Sequence, residues 1–182
     1  MLTIVLPASN GEVFDERTNE FLSYPEVILK LEHSLVSISK WESKFHKAYI
    51  DPLNEQRSME ETIYYIECMT LNPEDVPEGS YTRLTQNDIF TIQEYMNDPM
   101  TATVISKVGD CGRKPAKKIT NEEIYQLMIA NNIPVEFEEW HINRLMTLIE
   151  VCQLKGQPQK KMGKNEALEY QRKLNAQRRK KH

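Results

Sequence analysis

A chain of 182 residues has room for one domain of roughly 150 residues with an appendage, and a domain of that size can bury a hydrophobic core. Hydrophobic residues make up 40% of the chain and charged residues 27%, a balance that is typical of a soluble globular protein. No apolar run approaches the ~20 residues of a membrane-spanning helix, and the start of the chain has no basic cluster or signal-peptide core. We therefore expect neither a membrane span nor a signal peptide.

The formal net charge of −4 at pH 7 conceals an uneven distribution along the chain. Residues 160–182 contain nine Lys or Arg and two Glu, a net charge of +7, so the rest of the chain carries −11. An acidic body with a basic tail is the clearest compositional signal. Three cysteines, Cys68, Cys111 and Cys152, form no C-x-x-C pair, which predicts free thiols in a cytosolic protein.

The first 33 residues have the pattern of short β-strands. Residues 3–6 are apolar and end at Pro7, and residues 12–15 and 20–24 flank a turn-rich quartet, which predicts a hairpin. The apolar residues of a further strand alternate with their neighbours, as in a half-buried strand: Val27, Leu29 and Leu31. We expect a small antiparallel sheet, which needs a helix packed against it to be stable.

Apolar residues at helical spacing predict about five helices between residues 34 and 156. Four of these helices begin after a residue that can act as an N-cap: Ser34, Ser58, Thr85 and Thr120. Pro134 cannot lie in a helix interior, so we expect a fifth helix to begin after it, with Glu136, Glu138 and Glu139 in its first turn. We expect the last two helices, residues 119–155, to form the centre around which the rest of the chain packs.

These patterns together predict an α+β fold. A small antiparallel sheet in residues 1–33 is followed by a mainly helical part in residues 34–156, and both belong to one globular domain, residues 1–156. Gly156-Gln157-Pro158 marks the domain boundary, and residues 157–182 form a basic tail that is partly helical or disordered. The apolar content of this tail is too thin to bury much surface alone.

Three arrangements suggest chemistry, and each is incomplete. Glu138 and His141 have the i, i+3 spacing of metal ligands on one helix, but no second such pair exists in the chain. Residues 140–144 superficially resemble part of a His-Asn-His nuclease motif, without its second histidine or its ββα setting. Cys111 lies among basic residues that favour a thiolate, but no histidine stands out as its base. We expect no catalytic residue, no metal site and no cofactor, and therefore a protein that is not an enzyme.

Aromatic and methionine side chains recur along the predicted helices and have two interpretations. Most of them are expected in the core, while the others line a protein-binding groove, a use that suits flexible methionine. The stripe consists of Trp41, Phe45, Tyr64, Tyr65, Met69, Met96, Met128 and Met146. The residues for which we predict a core role are Trp41, Phe45, Trp140, Leu145 and Leu148.

The basic tail holds the candidate partner-binding residues. They are Lys160, Lys161, Arg172, Lys173, Arg178, Arg179, Lys180 and Lys181. Three interpretations stay open: a solvated tail, docking on an acidic protein surface such as the body of a second copy, and attraction of nucleic-acid phosphates. Base stacking has little support, because Tyr170 is the one aromatic residue in the tail.

Several segments together carry a family resemblance. They are residues 31–44 (LEHSLVSISKWESK), 65–70 (YIECMT), 100–103 (MTAT), 140–149 (WHINRLMTLI), 160–162 (KKM) and 174–179 (LNAQRR). In this order and spacing the chain resembles a family of small proteins of tailed bacteriophages, found among tail morphogenesis genes and associated with tail assembly chaperones. The resemblance covers nearly the whole chain.

The resemblance implies a role without catalysis. Such chaperones hold the long, aggregation-prone tape measure protein while tail tube subunits polymerise around it, in the cytoplasm of the host. The implied partners are the tape measure protein and other phage tail proteins, with self-association as a further expectation and no membrane. The alternative is a nucleic-acid-binding phage accessory protein that acts through its basic tail.

Overall fold

A computed structural model of the chain describes residues 1–15, 20–52, 56–105, 118–156 and 172. These ranges contain four strands: β1 (Leu2–Leu6), β2 (Ser9–Asp15), β3 (Glu20–Tyr24) and β4 (Val27–Leu31). They also contain five α-helices: α1 (Leu35–Phe45), α2 (Met59–Met69), α3 (Gln86–Asn97), α4 (Asn121–Ala130) and α5 (Ile142–Gly156). Short 3₁₀ helices span Pro73–Asp75, Ser80–Arg83 and Val135–Glu139. The predicted α+β fold, a small antiparallel β part followed by about five helices, is confirmed.

Two antiparallel pairs make up the β part: β2 with β3, and β1 with β4. In the second pair Leu2 lies opposite Leu31 and Leu6 lies opposite Val27. The alternation predicted for β4 is confirmed, since Val27, Leu29 and Leu31 are buried, whereas Ile28 faces outward and is exposed. Burying every second residue places one face of this pair against the helices.

The chain that leaves α2 covers the other edge of β4. Leu71 N–H donates to Lys30 O at 2.8 Å, and Glu32 N–H donates to Met69 O at 2.9 Å. The Asn72 side chain then continues the ladder: its Oδ1 accepts from Lys30 N–H at 3.1 Å and its Nδ2 donates to the carbonyl of Ile28 at 3.0 Å. Both backbone polar groups of Lys30 and the carbonyl of Ile28 on this edge are therefore satisfied by protein atoms.

Helix starts follow the predicted caps with one exception. Ser58, Thr85 and Thr120 each form a capping box with the acidic residue three positions on, and Ser34 caps α1. The predicted start of α5 is wrong, because the glutamates that follow Pro134 lie in the 3₁₀ helix Val135–Glu139 and α5 begins at Ile142.

A long-range contact explains this later start of α5. Trp140 is extended, His141 forms an isolated antiparallel bridge with Ser34, and Ile142 N–H donates to His33 O at 2.7 Å. This backbone pairing holds the chain extended just before α5, so a helix cannot continue through it.

The core lies between β1, β4 and the helices. Trp41 and Leu145 are buried as predicted, and Phe45 and Leu148 pack half-buried against the same cluster. The prediction for Trp140 is wrong: its ring is half-buried, stacks on Phe137 at 4.1 Å and carries the Arg144 guanidinium 3.9 Å from its centroid.

The centre of packing also differs from the predicted one. In the described part of the chain α1 packs against α2, against α4 and against the 3₁₀ helix Val135–Glu139. Of the two helices of residues 119–155, α4 packs against α1. The prediction that this later pair forms the centre is therefore wrong.

Candidate functional site

A cleft opens between α2 and α3, and it has an apolar lobe of about 180 Å³. Tyr65, Ile66 and Ile92 form its floor, each only 2% exposed, while Ile89 and Met96 are half-buried at its walls. The full lining is Tyr49, Arg57, Thr62, Tyr65, Ile66, Ile89, Ile92, Gln93 and Met96. A space of this size exceeds the ~150 Å³ that holds a benzene ring in an engineered apolar cavity. The lobe can therefore take one branched aliphatic or aromatic group.

A second, more open lobe of about 300 Å³ adjoins the first and is more polar. The two lobes share Tyr49, Arg57 and Met96. The remaining lining residues of the polar lobe are His33, Ile50, Asp51, Pro52, Asn97 and Asn143. The cleft thus combines an apolar floor with hydrogen-bonding groups at one end, as ligand and peptide sites commonly do.

Arg57 is held at the junction of the two lobes. Its guanidinium lies 4.0 Å from the centroid of the Tyr49 ring and donates to Tyr49 O at 2.6 Å. The Tyr49 ring in turn stacks on Tyr65 at 4.0 Å. A cation fixed by a ring and a carbonyl loses little freedom when it meets an anionic partner.

The two tyrosines beneath Arg57 supply structure rather than reactivity. Burial raises the pKa of the Tyr49 hydroxyl, against the opposing effect of the Arg57 charge, and burial also raises the pKa of Tyr65. Both hydroxyls therefore stay protonated at neutral pH and act as hydrogen-bonding groups.

Two buried histidines lie beside the polar lobe, with ring centroids 5.2 Å apart. His33 Nδ1 is 2.5 Å from Tyr65 Oη. Burial first, and then the neighbouring His141 and Arg57, lower the pKa of His33 to about 3. His33 is therefore neutral at physiological pH.

The hydrogen bonds of His141 define its tautomer. Its Nε2 is 3.1 Å from Tyr95 O, which can only accept, and its Nδ1 is 3.3 Å from Asn143 N, which can only donate. The proton is thus on Nε2, and both ring nitrogens have partners. Burial lowers the pKa of His141, opposed by the Tyr95 carbonyl and the Glu32 carboxylate.

The structure does not assemble the metal pair suggested by spacing. Glu138 accepts from Tyr125 Oη at 2.7 Å, and both nitrogens of His141 bind elsewhere. Within the described residues, no three His, Cys, Asp or Glu side chains are grouped so that they hold a metal ion. Cys111 lies outside the described residues, Cys68 is buried, and burial raises the pKa of its thiol.

The candidate partner-binding residues of the tail lie outside the described residues, except Arg172, which is exposed. The residues of the aromatic and methionine stripe fall into two groups. Trp41, Met69 and Met128 are buried in the core, whereas Met96 lines both lobes of the cleft.

Arg57 was missed by the sequence reasoning, because a lone arginine before a capping serine has no recognisable pattern. In the sequence, the adjacent apolar pair Ile89 and Phe90 was the one local sign that α3 has apolar residues outside the face that packs in the core.

Comparisons with protein-family models, with curated proteins and with solved structures found no significant match to this chain. No helix in the described ranges is both long and apolar enough to cross a bilayer.

Proposed function

We propose that this protein is a phage tail assembly chaperone, which binds the tape measure protein and other tail components during tail morphogenesis in the host cytoplasm. The observation that carries the proposal is the order and spacing of the segments, from residues 31–44 to residues 174–179, that resemble this family. The proposed activity is non-covalent binding and involves no bond-making step.

The described residues are compatible with such a role in two respects. The cleft between α2 and α3 offers an apolar recess with one fixed cation, which suits side chains of another polypeptide. The histidines next to it are neutral and hydrogen-bonded to protein groups, so they are committed to the fold.

Co-expression with the tape measure protein encoded in the same genome tests the proposal. We expect the tape measure protein to stay in the soluble fraction and to co-purify with an affinity-tagged copy of this chain. A tagged acidic protein of similar size serves as the control, and we expect the tape measure protein to aggregate beside it. If no tail component co-purifies with this chain, the proposal fails.

The second candidate is a nucleic-acid-binding accessory protein, and the +7 charge of residues 160–182 favours it. That role predicts DNA or RNA binding that weakens by a factor of about 10³ or more between 50 and 200 mM salt, because phosphate contacts release counterions. Deleting residues 160–182 should abolish the binding. Unchanged DNA mobility in a gel at low salt excludes this candidate.

A further inference from the structure

We infer that the cleft between α2 and α3 receives one aliphatic side chain from an amphipathic helix of the partner, with a carboxylate of the same helix beside Arg57. The inference rests on the proposed function and specifies the partner surface that the protein binds. Three features of the cleft support it: the volume of its apolar lobe, the exposed apolar side chains beside it, and the positive charge of Arg57.

The space sits between two helices that leave room for a side chain. Ile66 of α2 and Ile92 of α3 are buried at the floor, and the apolar lobe above them holds about 180 Å³. An apolar recess of this size is filled favourably by an aliphatic group, because both surfaces leave water. Met96 at the wall is flexible enough to adjust to the inserted group.

Each helix beside the cleft carries a large apolar side chain that the fold leaves in water, one turn before a residue of the lining. Met59 of α2 is 57% exposed and lies one helical turn before Thr62, which lines the cleft. Phe90 of α3 is 58% exposed and lies one turn before Gln93, on the opposite wall. A helix laid along the cleft would cover both side chains and the recess between them.

The charge of the cleft selects the partner. Among the described residues that line the apolar lobe, Arg57 is the only charged one. Asp51 lines the polar lobe but not the apolar lobe. A carboxylate placed one turn from the inserted side chain therefore meets a guanidinium already oriented by Tyr49. Phosphate-rich nucleic acid is a poor fit, because the recess behind the cation is lined mainly by apolar side chains.

A helical occupant follows from the walls of the cleft. α2 and α3 supply seven of the nine residues that line the apolar lobe, and none of the described lining residues belongs to a strand to which an extended peptide can add. A helix places apolar and acidic side chains on one face at i, i+3 and i+4, which matches a recess with a neighbouring cation.

The test uses the full chain and overlapping 20-residue peptides of the tape measure protein, with binding measured by fluorescence anisotropy. Gln93→Trp fills the recess from its exposed rim, and we expect it to weaken the tightest peptide at least tenfold. Glu94→Trp is the matched control, since Glu94 is the next residue along α3, is exposed and does not line the cleft. We expect the control to bind within twofold of the unchanged chain.

A double-mutant cycle tests the charge. Arg57→Gln and replacement of the peptide glutamate by glutamine should each weaken binding about three- to tenfold, and the two together no more than either alone. Arg57→Gln is compared only after its thermal melt shows a folded protein, because Arg57 also supports Tyr49.

The outcomes separate the inference from the proposed function. If Gln93→Trp and Glu94→Trp bind the tightest peptide equally well while the unchanged chain still retains the tape measure protein, the inference is wrong and the proposed function stands. If the two charge substitutions act additively, the pairing with Arg57 is wrong. If the unchanged chain retains no tape measure protein, the proposed function fails and the inference fails with it.

Discussion

At the scale of single residues, His141 has two structural tasks that both require the neutral ring. Its Nδ1 accepts the N–H of Asn143, in the first turn of α5, as an N-cap side chain does. Its Nε2 donates to Tyr95 O and so ties the start of α5 to α3. A proton added to Nδ1 would face a donor and place a positive charge at the positive end of the helix dipole.

His33 adds a second neutral ring to this junction. Its carbonyl accepts from Ile142 N–H, and the charged groups nearest the pair include Arg57, Glu32 and Asp98. The backbone of the same segment joins the start of α1 to the start of α5, since Ser34 and His141 form an antiparallel bridge, and the two rings lie 5.2 Å apart beside it. Protonation of either ring would therefore destabilise the same junction, at the start of α1 and of α5.

We predict that stability falls as the pH falls below about 6.5, the usual pKa of histidine in an unfolded chain. The folded protein keeps His33 neutral down to about pH 3, so between these values the unfolded chain binds a proton that the folded protein does not. The free energy of unfolding should then fall by up to about 1.4 kcal/mol per pH unit from His33. Above pH 6.5 this contribution is fully present.

Urea unfolding at pH 7.5, 5.5 and 4.5 measures this dependence. His33→Gln keeps a hydrogen-bonding group for Tyr65 but removes the titration, so its slope against pH should be shallower than that of the unchanged chain. His46→Asn is the matched control, because His46 is exposed and its φ of 53° suits asparagine. Parallel pH curves for His33→Gln and the unchanged chain would contradict the prediction.

At the scale of elements, Glu42 joins the end of α1 to the start of α4. Its side chain is buried, with Oε1 accepting from Tyr49 N–H at 2.7 Å and Oε2 accepting from Asn121 N–H at 3.0 Å. The first N–H groups of a helix have no partner within the helix, so this carboxylate satisfies one of them for α4.

We predict that Glu42→Ala destabilises the protein by about 2–6 kcal/mol, because two buried N–H groups lose their acceptor at about 1–3 kcal/mol each. Ser43→Ala is the control, since Ser43 is exposed beside it on the same helix. Chemical unfolding of both variants measures the difference. A loss for Glu42→Ala as small as that of Ser43→Ala would show that water replaces the carboxylate.

Local patterns predicted the elements well, and long-range contacts account for the errors. The capping boxes of Ser58 and Thr120 were found because both partners of each lie within one turn. The start of α5 was misplaced because the His33 carbonyl, far away in sequence, binds Ile142 N–H. Trp140 has the spacing of a core residue, but its half-buried ring packs between Phe137 and Arg144 instead.

The candidate site was less predictable than the fold, for a related reason. The sequence predicted α2 and α3 as separate helices, and Met96 only as one member of the aromatic and methionine stripe. Helical periodicity does not say that α2 and α3 leave a recess between them, nor that Arg57 comes to lie at its end. A cleft is a property of the packing of two elements, and neither element contains it alone.

At the scale of the whole molecule, the charge is divided between two parts of the chain. Residues 160–182 carry +7 and the rest carries −11, and within the part of the chain that the structure describes, every residue of the buried apolar cluster lies at or before Ile149. The boundary after residue 156 stays a prediction. If it is correct, the folding energy comes from the body, and the tail is free to serve binding.

We predict that a chain ending at residue 156 melts within about 2 °C of the full chain, a difference of less than ~1 kcal/mol for a domain of this size. The melt is measured at 0.15 M salt or above, because removing the tail leaves a net charge of −11 whose self-repulsion is then screened. The buried residues that carry the core, such as Leu145 and Ile149, are all retained. The prediction is contradicted if the shortened chain melts at a clearly lower temperature, and if adding residues 157–182 as a separate peptide restores the melting temperature of the full chain. That outcome would mean that the basic segment docks on the acidic body and contributes to its stability.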